Sequence, residues 1–125
     1  MTRIPVHVVS GAPRSGKSAL ITRLCAQRAD WLGLVNSVPD AAGSNLASVA
    51  AGCPCCTGKI VLQITLARAL RQTRATRAFV ELSDPGHAAS LERALGEAPL
   101  GLSIVCARSI FQPRDAELSA ADLEE

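Results

Sequence analysis

The sequence predicts an α/β fold, a mostly parallel sheet with flanking helices. Short apolar runs rich in β-branched residues, IPVHVVS at 4–10, LGLVN at 32–36, RAFVELS at 77–83 and LGLSIVC at 100–106, have the continuity of strands buried on both faces. Segments with helical spacing of apolar residues alternate with them, and strands that alternate with helices close into a parallel sheet. Glycine and proline punctuate the strand ends, which places the connecting loops, and any ligand, beyond the carboxyl ends of the strands.

Each element follows in order. The first strand ends in GAPRSG, a loop, and from Gly16 the residues Leu20, Ile21, Leu24 and Cys25 recur at helical spacing. LGLVN is the second strand, and SVPDAAGS after it is a stretch of turn formers. LASVAAG at 46–52 reads ambiguously as a short strand. From about Lys59 to Arg74, Ile60, Ile64, Ala67 and Leu70 mark a helix whose Arg68, Arg71 and Arg74 face outward. After RAFVELS, Asp84 as N-cap and Pro85 as first helical residue start a helix that runs to Gly96. LGLSIVC is the last strand.

The chain has 125 residues, enough for one compact domain but not two, and its 48% hydrophobic content excludes a disordered segment. A formal charge of +2 does not by itself indicate a nucleic acid or membrane, and no Tyr, one Trp and two Phe leave no stacking platform for single strands. Residues 108–125 hold two Arg and five acids, so they read as an acidic, solvated carboxyl-terminal tail beside a domain spanning 1–107. No apolar run approaches the roughly 20 residues that span a bilayer, and no signal-peptide core precedes the first strand, so a cytoplasmic location is expected.

The octet Gly11-Ala12-Pro13-Arg14-Ser15-Gly16-Lys17-Ser18 satisfies GxxxxGK(S/T) between a strand and an amphipathic helix. Its glycines let the backbone curl until several N–H groups face one anion, and the helix that follows adds its positive dipole end. Lys17 neutralises β- and γ-phosphates in such a loop, and the Ser18 hydroxyl ligates magnesium. Gly11 through Ala19 are therefore the candidate nucleotide-binding residues of a P-loop NTPase-like fold. Only two of the 13 basic residues are lysines, which suits a site that wants a compact point charge in place of a planar fork.

Five cysteines are an odd number, and three crowd into Cys53-Pro54-Cys55-Cys56. In a reducing compartment that pattern points to metal or redox chemistry before a disulfide framework. Three thiolates form a soft site for zinc or a similar ion, with the fourth position left to water or to a histidine such as His87.

Together, the phosphate loop, the later GCPCC at 52–56 and a strand ending in Glu81 resemble the CobW-type P-loop GTPases, relatives of HypB and UreG, over roughly residues 4–106. The resemblance implies GTP binding and hydrolysis, ATP not being excluded, coupled to metal binding and delivery. It implies that Cys53, Cys55 and Cys56 are the metal-binding motif for zinc or a similar divalent transition metal. Lys17 and Glu81 become the catalytic candidates, with Glu81 near the magnesium held by Ser18. A client metalloprotein is an implied partner.

The chain also departs from that family. Where Glu-x-x-Gly is expected it has Glu81-Leu82-Ser83-Asp84, no lysine follows Lys59 to supply an Asn-Lys-x-Asp motif, and Cys106-Ala107 stands where an Asp is usual. Base preference does not follow from the sequence. These departures describe a version truncated at its carboxyl-terminal side, with a dimer or partner covering the sheet edge. They also keep open an alternative, a non-hydrolysing P-loop metal- or nucleotide-binding module that acts through a partner. His7 in mid-strand reads as a packing residue, and Cys25 and Cys106 read as small buried hydrophobes.

Overall fold

A computed structural model describes residues 4–11, 16–35, 45–48, 57–82, 104–106, 110–112, 115 and 117–123. In chain order these form β1 (Ile4–Gly11), α1 (Lys17–Gln27), β2 (Trp31–Val35), β3 (Leu46–Ser48), α2 (Thr57–Thr73), β4 (Arg77–Glu81), β5 (Ile104–Cys106), β6 (Ile110–Gln112) and α3 (Ala120–Leu123). The strands make one sheet in the order β3-β2-β4-β1-β5, with β6 also on β1, and every pairing is parallel. This is the α/β architecture that the alternating pattern implies.

β1 lies at the hub. β4 pairs along one side of it (Val6 with Ala78, Val9 with Glu81), while β5 and β6 share the other side. β5 runs opposite the first half (Ile4 with Ile104) and β6 opposite the second (Val9 with Ile110). The partner offset is 104 − 4 = 100 in β5 and 110 − 9 = 101 in β6, so the register advances by one residue between them.

Alternation across the pleat sorts the core into two layers. Val6, Val8, Leu32, Leu34, Ala78 and Val80 pack against Leu66, Ala69 and Leu70 of α2. Val9, Trp31, Val35 and Phe79 point to the opposite face, against Leu20, Ile21, Leu24 and Cys25 of α1. Because both faces are covered, β2 is buried at every position, which is why its sequence is continuously apolar. Gly33 faces α1, where an added Cβ would lie 2.5 Å from Ile21 Cγ2 and 2.6 Å from Leu46 Cδ2. That contact admits no side chain, so α1 seats directly on the β2 backbone.

Observed boundaries differ modestly from the sequence reading. The second strand begins at Trp31, which is buried beside Phe79, and α2 begins two residues before Lys59. Ile64 is 44% exposed even though Ala67 and Leu70 on the same predicted stripe are buried. Arg68, Arg71 and Arg74 face solvent as expected. Arg77 does not: it sits 5.3 Å over the Trp31 ring and bonds His7 at 2.7 Å. His7 is buried and stacked on Phe79 with ring centroids 5.0 Å apart, a packing role. The helix expected over 84–96 lies outside the described residues.

Residues beyond 108 correct the picture of a solvated tail. Ile110, Leu118, Ala120 and Leu123 are buried in the layer that holds α1, and β6 extends the sheet. Arg23 donates to the Leu118 carbonyl, and the Ala120 amide donates to Gln27 Oε1 at 2.9 Å. Net charge misled here: Glu117 and Asp122 are exposed, and the apolar residues spaced between them anchor the segment. Ile110→Ala should therefore destabilise the whole domain by about 2–5 kcal/mol in urea denaturation, the cost of a truncated core residue. A surface tail would show no change in midpoint.

Candidate functional site

The site grows from the end of β1. Gly11 closes the strand with φ 146°, and Gly16 reopens the chain into α1 with φ 92°, ψ 23°, the left-handed region that favours glycine. The Gly16 carbonyl accepts the first helical hydrogen bond from the Leu20 amide at 2.9 Å. No side chain caps α1, and its first turn holds no acid. Its amino-terminal N–H groups therefore present the positive end of the helix dipole.

Lys17 is the first residue of this helix and is 6% exposed. A cation there opposes the dipole, and burying an ammonium is costly, so local physics argues against a lysine at this position. Its Nζ donates to the Gly11 carbonyl at 2.9 Å, which draws the two ends of the phosphate loop together. The arrangement becomes favourable when an anion shares the site, since ammonium and helix end then act on the same charge.

Ser18 follows in the first turn. Its hydroxyl donates to Glu81 Oε1, across 63 residues of sequence. Glu81 is the last residue of β4 and stands in register with Val9, so the sheet itself delivers the carboxylate to the helix start. Because the Ser18 proton is directed at Glu81, both lone pairs of Oγ remain available to a hard cation such as magnesium. The next residue along, Leu82, continues the strand by donating its amide to the Val9 carbonyl at 2.8 Å.

The structure thus gathers Gly11, Gly16, Lys17, Ser18 and Glu81 at the carboxyl ends of β1 and β4, with Ala19 exposed on the first turn. Ala12, Pro13, Arg14 and Ser15 lie outside the described residues. So do Cys53, Cys55 and Cys56, together with Asp84 and His87. Among the described residues no three of His, Cys, Asp and Glu come together as a metal site. Cys106 is placed in β5 by its backbone.

One residue beside the loop carries no sequence signal. Gln112, at the end of β6, is in register with Gly11, and its Nε2 donates to the Gly16 carbonyl at 3.2 Å. A glutamine between Phe111 and Pro113 belongs to no motif, and its place depends wholly on the pairing of β6 with β1.

A comparison with family profiles matches residues 5–105 to "CobW/HypB/UreG, nucleotide-binding domain". The chain belongs to this family. It is therefore a P-loop nucleotide-binding protein. Searches of the curated proteins and of the solved structures give no match. Among the described residues of this CobW-family chain, no helix is long and apolar enough to cross a membrane.

Beneath the site, Cys25 is a free, buried thiol whose pKa is pushed up to about 12 by desolvation. Burial disfavours the thiolate, so this cysteine is packing and not a metal ligand. Raising a folded pKa above the unfolded one favours folding below the unfolded pKa and loses that advantage as pH rises toward the folded value. Between pH 9 and 12 this residue should thus reduce stability by up to about 1.4 kcal/mol per pH unit. Urea denaturation across that range should show a steeper decline for the wild type than for Cys25→Ala. At the paired ends of α1 and β4, Ser18→Ala and Glu81→Gln should each raise the magnesium concentration needed for half-maximal nucleotide binding by about tenfold, the loss of one oriented hydroxyl ligand, read by calorimetric titration.

Proposed function

We propose that this protein binds GTP with magnesium at Gly11–Ala19, hydrolyses it, and couples the nucleotide state to metal held by Cys53, Cys55 and Cys56. The observation that carries the nucleotide half is the buried Lys17 at the uncapped start of α1. An ammonium at that end of a helix suits a polyphosphate as the charge it shares the site with. Magnesium, when bound, would draw charge from the phosphate oxygens. Ser18 offers its lone pairs to that ion while Glu81 holds the hydroxyl proton and fixes its direction. Lys17 holds a positive charge beside the loop.

The metal half rests on the sequence motif GCPCC, in which three thiols lie within four residues. Its position immediately before α2, which begins at Thr57, joins it to a helix packed on the sheet. Nucleotide-dependent movement of the segment leading into the cysteines would give the coupling. Zinc or a similar divalent transition metal is then cargo for a client metalloprotein. The same reading places the protein in the cytoplasm, with residues 1–107 as the nucleotide-binding domain and 108–125 as an acidic segment docked on it. A second copy or a partner would cover the β5 edge, where Val105 is 37% exposed.

A second reading is a module that binds without hydrolysis. It is favoured by Glu81-Leu82-Ser83-Asp84, which lacks the glycine whose amide would meet a γ-phosphate. Turnover separates the two. Magnesium-dependent GTP hydrolysis that Lys17→Ala reduces to background supports the first, and binding without turnover under any metal condition supports the second. The purified protein should hold about one zinc or similar ion, the stoichiometry of a single three-thiolate site, and the triple Cys53→Ser, Cys55→Ser, Cys56→Ser variant should hold none. Equal metal content in both, measured by atomic emission, would remove the metal half.

A further inference from the structure

Gln112 is 3% exposed, and its side-chain oxygen Oε1 is buried with no hydrogen-bond partner among the described residues. The amide cannot simply be turned over. Its other end faces the Gly16 carbonyl at 3.2 Å, an acceptor that only the NH2 group can satisfy. The oxygen is therefore fixed beside the start of α1 as an acceptor awaiting a donor. A buried acceptor left in that state opposes folding, and an apolar side chain of the same size would avoid the cost.

Phosphates cannot supply the missing hydrogen, since at neutral pH their oxygens accept. The topology suggests what can. β4 and β6 flank β1 on opposite sides, and the Ser18–Glu81 pair marks the β4 side as the place for the cation and terminal phosphates. A nucleotide lying across the end of β1 then directs its nucleoside toward β6, where Gln112 stands. Sugar hydroxyls and base amino groups are hydrogen-bond donors.

We propose that Gln112 is a nucleoside-binding residue, its Oε1 accepting a hydrogen bond from a sugar hydroxyl or a base amino group of the bound nucleotide. The assignment rests on the nucleotide reading of the phosphate loop and extends it to a residue outside that loop. The Nε2 bond to Gly16 gives the contact a second consequence: engaging the nucleoside fixes the amide that holds the loop's far end.

The test is calorimetric titration of the full chain with magnesium complexes of GTP, ATP and tripolyphosphate, for wild type and Gln112→Met. The wild type should bind at least one nucleotide more tightly than tripolyphosphate. Gln112→Met removes both ends of the amide, so its tripolyphosphate affinity reports the lost Gly16 contact, and affinity for that nucleotide should fall about tenfold further, the size of one hydrogen bond to a buried partner. In the wild type, 2′-deoxy, 3′-deoxy and inosine analogues identify the donor: the one lacking it should lose the same tenfold, and it should lose nothing further in the variant. These analogue titrations stand even if Gln112→Met folds poorly. Equal losses for nucleotide and tripolyphosphate would overturn the assignment and leave Gln112 as a loop-positioning residue. So would full affinity for every analogue. A wild type that binds tripolyphosphate and gains nothing from a nucleoside overturns it while the phosphate site stands; one that binds neither overturns the nucleotide reading, and this assignment with it.

Discussion

The fold and the site both depend on β1 having partners on each side along its length. β4 occupies one flank and β5 with β6 the other, so β5 holds the start of β1 while β4 and β6 hold its end from both sides. A loop hung from so constrained a strand starts from a fixed point, and α1 fixes its other end through the bare backbone of Gly33. Short loops reach tight geometry only when their anchors do not move, since the entropy of ordering has already been met by the scaffold.

On that frame the charged groups oppose local preference in a consistent way. Lys17 is buried at the wrong end of a helix dipole, and Ser18 spends its proton on a carboxylate from a distant strand. Each alone would be a defect. Together they describe a place where stability has been given up so that an anion and a cation can be accepted without rearrangement.

Much of this was legible in the sequence because local pattern and tertiary role agree. β1, β2 and β4 are apolar runs whose both faces are covered, α1 shows its buried stripe at Leu20, Ile21 and Leu24, and the octet after β1 names its own chemistry. β6 and α3 were not legible. Three residues, Ile110–Gln112, carry too little pattern, and their strand character comes from Val9–Gly11, a hundred residues earlier. Five acids in the last eighteen residues suggested solvent, whereas burial was decided by the apolar residues between them. Arg77 lies beyond the end of α2 at Thr73, and β4 turns it toward Trp31 and His7. The cysteine motif remains a reading of the sequence.

On the other flank a single asparagine sets where β3 begins. Asn45 donates from Nδ2 to the carbonyls of Cys25 and Trp31, each at 2.8 Å, and lies 3.3 Å from that of Arg28, and its own carbonyl receives the Gly33 amide at 2.9 Å. The chain that leaves the sheet after Val35 is thus recaptured at one residue, which seals the carboxyl end of α1 and starts β3. The three-residue β3 therefore does not hold its own register on β2: one side chain that ties α1 to β2 holds it.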